Sequence, residues 1–115
     1  MTSVLIEQWV GVCPFDKLVP GRGVAALVGD EQVAVFRVGD DVLAVSNHDP
    51  FSHANVISRG LVGTRGPVVK VASPMYKQSF DLHTGECLDD PSQSLEVYAT
   101  RIVDGAVEVA YRPAP

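Results

Sequence analysis

Few residues in this chain could do chemistry: three histidines, two cysteines, and carboxylates and hydroxyls set in loops. His48, Asp49 and His53 fall within six residues, a His-Asp-His set of the kind that can hold a divalent or transition metal. Against that reading, a carboxylate directly before a proline is an ordinary cap on a short turn, and Asp49 is read as that cap. Cys13 and Cys87 are too few and too far apart to announce a disulfide framework or a zinc site, so both are expected as reduced thiols. No basic residue stands beside Cys87 to lower its pKa, and a small buried side chain is the better description of it and of Cys13. His83, before Thr84-Gly85, is read as a solvated turn residue. Gly21-Arg22-Gly23 and Arg65-Gly66-Pro67 do not lead a strand into a helix, so neither is expected to cradle a phosphate or dinucleotide. A second loop, Ala72-Ser73-Pro74-Met75-Tyr76-Lys77, carries apolar and aromatic groups, and its Ser73-Pro74 pair is read as a plain turn.

The elements that must position these loops are short β-strands. Val4 to Val12, Gly23 to Val28, Gln32 to Val38 and Val42 to Ser46 are separated by Gly29-Asp30 and Gly39-Asp40-Asp41, residues that tolerate the backbone angles of tight hairpins. In the third segment Val33 and Val35 alternate with Ala34, Phe36 and Val38, so both faces are apolar enough to be buried. Val68 to Ser73 and Lys77 to Leu82 form a further strand-loop-strand unit, and Leu95 to Val103 pairs with Ala106 to Arg112 across Asp104-Gly105. Helical signal is confined to one turn at Asp16 to Leu18 and another at Pro50 to Ile57, with Asp49 as its N-cap. The expected fold is all-β, a small sandwich or barrel of antiparallel hairpins over residues 1–112, with 113–115 a frayed tail.

Composition narrows the function classes. A chain of 115 residues is one domain that buries roughly two-thirds of its unfolded surface, enough for a core. Its net charge of −5 and scattered Lys and Arg argue against nucleic acid as a partner. The N-terminus has neither a basic region nor a long apolar run, so no membrane association and a cytoplasmic location are expected. Arg59, Arg65, Lys70 and Lys77 could form a basic rim near the loops, although a plain solvated surface is the reading preferred.

The two loops, together with Phe80-Asp81-Leu82-His83-Thr84-Gly85-Glu86-Cys87-Leu88, resemble the cluster-binding region of a Rieske iron-sulfur domain. Such a domain binds two irons with Cys-x-His in one loop and Cys-x-x-His in the next. Aligned on the prolines, the ligand positions are Asp49, Phe51, Ser73 and Tyr76, none of them a thiolate or an imidazole, so no metal or cofactor is expected in this chain. Gly29 to Arg37, Asn47 with Asp49-Pro50-Phe51, Ser58-Arg59-Gly60-Leu61-Val62, Lys77-Gln78 and Asp89-Asp90-Pro91 extend the likeness across nearly the whole chain. The whole is similar to the small subunits of assimilatory NAD(P)H-dependent nitrite reductases. That resemblance implies a non-catalytic subunit whose large partner carries FAD, an iron-sulfur cluster and sirohaem and reduces nitrite to ammonium. It leaves two alternatives, a free-standing Rieske-like binding module and a Rieske-type electron-transfer ferredoxin. Pro50, Phe51, Pro74, Met75, Tyr76 and Lys77 are the candidate surface for the large subunit, because exposed aromatic and apolar groups anchor interfaces. For Phe51 and Tyr76 the other use of a ring is to fill the volume a cluster would occupy.

Overall fold

Tight turns organise the chain into three small antiparallel sheets. Asp104 and Gly105 both adopt positive φ, 50° and 79°, the geometry a two-residue hairpin of matching twist requires. The computed structural model describes residues 8–111. Ten strands run in chain order: β1 Gln8–Pro14, β2 Gly23–Val28, β3 Glu31–Val38, β4 Asp41–Ser46, β5 Leu61–Arg65, β6 Val68–Ala72, β7 Ser79–Asp81, β8 Val97–Tyr98, β9 Thr100–Val103 and β10 Ala106–Tyr111. They form sheets ordered β1-β10-β9, β2-β3-β4-β8 and β5-β6-β7, every ladder antiparallel.

Strand β3 is the wall between two cores. Val33, Ala34, Val35 and Phe36 are all fully buried, as two apolar faces predict. Ala34 and Phe36 join Val45, Ile57, Val71, Phe80, Leu82, Cys87 and Leu95 on one side. Val33 and Val35 join Leu18, Val28, Val42, Ala44, Val107 and Val109 on the other. Each large apolar side chain so buried is worth roughly 1.5–3 kcal/mol, and this is what holds the loops' base rigid.

Several element boundaries differ from the sequence expectation. The expected first strand begins outside the described residues, as do Arg112 and the tail; its described part is β1, bulged between Gly11 and Cys13. Leu95 to Val103 is not one strand but two, because the chain changes sheet at Ala99: β8 pairs with β4, whereas β9 pairs with β10. The Thr100 hydroxyl donates to Val42 O at 2.6 Å and fixes that crossing. Strand β5 was not expected at all, since Leu61-Val62-Gly63-Thr64-Arg65 holds only two large apolar residues; pairing with β6 makes it a strand. Residues 50–57 do not form a helical turn; a bridge between His48 and Asn55 closes them as a loop, and a single 3-10 turn follows at Ile57–Arg59. The first expected turn is present as a 3-10 turn at Phe15–Lys17.

Candidate functional site

The β4-to-β5 connection and the β6-to-β7 connection contain the same loop twice. In the first, Asp49 N–H donates to Ala54 O at 2.9 Å and His53 N–H donates back to Asp49 O at 2.8 Å. In the second, Ser73 N–H donates to Gln78 O at 2.9 Å and Lys77 N–H to Ser73 O at 3.0 Å. Both loops close on a non-glycine residue with positive φ, His53 at 60° and Lys77 at 65°. Each is capped by its own first side chain: Asp49 Oδ1 accepts from Phe51 N–H at 2.8 Å, and Ser73 Oγ from Met75 N–H at 3.3 Å. The repeated acceptor-Pro pair accounts for this, the side chain taking a free amide and the proline fixing the next φ.

The two loops are joined at their roots. The Ser73 hydroxyl donates to Asp49 Oδ2 at 2.5 Å, and both side chains are buried. Ser73 is therefore not the plain turn residue its sequence suggests; it bridges two segments 24 positions apart. Burial pushes the Asp49 carboxyl up, but the donors from Ser73, Phe51 and Ser52 outweigh it and hold the pKa below the ordinary carboxylate value. Asp49 does cap its own loop, as expected, with one oxygen.

Other residues behave differently from one another. Phe51 is half-buried, packs against the Phe80 core and lies 6.1 Å from that ring, centroid to centroid. Pro50 is half-buried, whereas Pro74, Met75, Tyr76 and Lys77 are exposed, Met75 by 51 % and Tyr76 by 61 %. His48 and His53 are exposed with rings 5.9 Å apart, while Asp49 between them turns inward to Ser73. Among the described residues, no group of three or more His, Cys, Asp or Glu is placed to hold a metal ion. Cys87 lies in the core and Cys13 is half-buried, its thiol pKa raised by burial. The basic residues do not act as one rim: Arg65 meets Asp89 at 3.4 Å and Lys70 Nζ donates to Ser79 Oγ at 3.1 Å.

Two anchors went unassigned from sequence. Buried Asn47 accepts from Ser58 N–H at 2.7 Å and donates to Asn55 O at 3.2 Å, tying the first loop to the 3-10 turn. Asp89 accepts from Ser79 N–H at 2.8 Å, and that bond first, with Arg65 beside it, lowers its pKa. Asn47 stands directly before the first loop and Asp89 well after the second, and polarity alone does not name the partner of either.

A two-iron cluster held by two thiolates and two imidazoles does not fit these loops. A carboxylate and a hydroxyl are in direct contact at their roots, a phenyl ring is packed into the core, and both cysteines lie elsewhere.

The Rieske-like [2Fe-2S] domain family matches residues 8–110. The nitrite reductase (NADH) small subunit of Salmonella typhimurium is 45 % identical over 106 residues, covering 90 % of this chain and 98 % of that protein. A crystal structure assigned to the NADH-dependent nitrite reductase small subunit of Mycobacterium tuberculosis superposes with a TM-score of 0.91 at 49 % identity, covering 95 % of this chain and 99 % of that one. The Klebsiella oxytoca nitrite reductase [NAD(P)H] large subunit contains a similar segment, 39 % identical over 103 residues, which spans 90 % of this chain and 11 % of that protein.

Proposed function

We propose, from the premise that the chain belongs to the family of Rieske-like nitrite reductase small subunits, that it serves as a non-catalytic partner docking on a large subunit through its second loop tip. Asp49, Phe51, Ser73 and Tyr76 are the vestigial ligand positions, and their chemistry rules the chain out as the electron carrier. Nitrite is reduced to ammonium in the large subunit, which the family likeness furnishes with FAD, an iron-sulfur cluster and sirohaem. A large subunit that contains a copy of this domain within its own chain supports that partnership. Among the described residues no helix is long and apolar enough to cross a membrane.

The observation that carries the docking surface is the contrast between two loops of one conformation. The first directs Phe51 back onto the core, while the second leaves Met75 and Tyr76 exposed beside Lys77 on a rigid, capped frame. The capped backbone presents the two side chains from a fixed frame, and exposed rings and thioethers are favoured as interface anchors. The Met75→Asp, Tyr76→Asp double variant is expected to fold as the wild type and to lose co-purification of the large flavin and sirohaem protein. Retained co-purification would refute the docking surface. Phe51 is unsuited to that test because its loss opens the core. Iron and acid-labile sulfide analysis of anaerobically purified chain tests the cluster-less reading separately, and stoichiometric iron would overturn it.

A further inference from the structure

Strand β2 is the edge of the four-stranded sheet and lacks the usual protection of edges. Its sequence Gly-Val-Ala-Ala-Leu-Val has no charge and no proline, and its register with β3 is unbroken over six residues. The other described edges are guarded. Strand β1 carries a bulge and Pro14, β9 carries Arg101, β5 ends on Arg65, and β7 and β8 are three and two residues long. The two-residue turn joining Val28 to Glu31 makes that pair mutually hydrogen-bonded, so Val28, Ala26 and Val24 face β3 and the amides of Ala25 and Leu27 face outward. No other backbone or side-chain group among the described residues is bonded to those two.

We propose that β2 pairs antiparallel with β2 of a second copy of this chain, joining two four-stranded sheets into one of eight. Two-fold symmetry with outward amides opposite each other allows a register centred on Ala26. It sets Ala25 against the second copy's Leu27 and brings Arg22, just before β2, toward its Asp30, which stands in the turn after β2 and also accepts from the Tyr111 hydroxyl at 3.1 Å, twice over. The fit is one of shape as well as charge. Leu27 is 67 % exposed on the sheet face it shares with its partner Gln32, and Ala25, Ala26, Leu27 and Gln32 line a depression of about 260 Å³ there. A leucine set opposite the small Ala25 enters that depression, and the flanking charges select this register over a slip of two residues.

Sedimentation velocity of the wild-type chain across micromolar to millimolar concentration is expected to show a monomer–dimer equilibrium. Leu27→Lys, which places a charge on an exposed side chain, should leave the fold intact and abolish the dimer. Arg22→Asp and Asp30→Arg should each weaken the dimer roughly tenfold, and the double charge swap should restore it, since two surface pairs change sign together. Hydrogen exchange should slow at Ala25 and Leu27 as concentration rises. A chain that stays monomeric at every concentration, or a dimer in which the charge swap fails to rescue and Ala25 and Leu27 stay unprotected, overturns the proposal.

Discussion

Replacing Ser73 by alanine tests whether the loops are cross-linked by the bond the geometry shows. The hydroxyl donates to Asp49 Oδ2 at 2.5 Å with both groups buried, and its oxygen also receives Met75 N–H at 3.3 Å. Losing a hydrogen bond to a buried charged acceptor costs roughly 1.5–3 kcal/mol, because no water replaces the donor. In a chain of this size that lowers Tm by about 6–12 °C, out of a total stability of about 5–15 kcal/mol. The pH dependence adds a second readout. Burial raises the Asp49 pKa, the three donors more than offset it, and the folded value lies below the ordinary 3.8. A lowered folded pKa means the contribution is fully present above the unfolded value and is lost as pH falls through the folded one. In Ser73→Ala one opposing donor is gone, so the folded pKa rises and acid unfolding begins at higher pH. Urea unfolding and thermal melts between pH 2 and 7 give both quantities. Asp49→Asn keeps the Phe51 cap and lets the Ser73 hydroxyl turn to accept from the new amide, so it should cost only about 1 kcal/mol. A Ser73→Ala protein that melts within about 2 °C of wild type, with its acid limb unmoved, would refute the cross-link as a structural strut.

Gly60 packs so closely that an added Cβ would lie 2.5 Å from Ala72 O and 2.6 Å from Val71 Cγ2; Gly60→Ala should cost about 1–3 kcal/mol in urea unfolding by overpacking between β6 and the 3-10 turn. Phe51→Ala should cost about 2–4 kcal/mol, less than a fully buried ring because it is half-exposed, while Met75→Ala stays within about 0.5 kcal/mol in the same assay. Tyr98, whose phenol is partly buried and donates to Glu31 at 2.5 Å, has a pKa raised by burial and then by that carboxylate. A raised phenol pKa favours the neutral form in the fold, so stability should fall as pH climbs past the ordinary value near 10. Tyr98→Phe should flatten that slope, and urea midpoints between pH 8 and 11 check it.

Hairpins were legible in the sequence where short-range chemistry decides them. Gly29-Asp30 and Asp104-Gly105 announced their turns, and the apolar faces of β3 announced a strand buried on both sides. What stayed hidden is set by partners distant in sequence. Nothing local to Ala99 says that the chain changes sheets there, because the cause is pairing with β4 on one side and β10 on the other. Strand β5 is too polar to announce itself and exists because β6 lies beside it. The first loop looked helical because a capping aspartate and a proline also begin helices; the bridge to Asn55 settles it otherwise. At the site, Asp49, Phe51, Ser73 and Tyr76 were readable as the four positions that the resemblance sets at the ligand places, none of them a thiolate or an imidazole. That two of them bond to each other required the fold, since the residues lie 24 apart.

On the proposed function, the bridge also explains how such a loop pair can keep its shape without metal. A cluster would cross-link the two loops with several strong bonds; without one, each loop is fastened to the sheets mainly at its ends. An apolar replacement at the roots would fill space but impose no direction, and it would leave the Phe51 and Met75 amides without their side-chain acceptors. Asp49 and Ser73 supply both needs at once: each caps its own loop, and one short hydrogen bond fixes the loops relative to each other. Burying a carboxylate without a cation is costly, but three donors to its two oxygens compensate, as the lowered pKa records. The exposed tip of Pro74, Met75, Tyr76 and Lys77 thus stands on a loop whose root is fastened to its neighbour. On the proposed function this is the physical reason the scaffold can lose its electrons and keep its partner: the docking surface depends on loop geometry, and hydrogen bonds suffice to set geometry where only metal could carry charge.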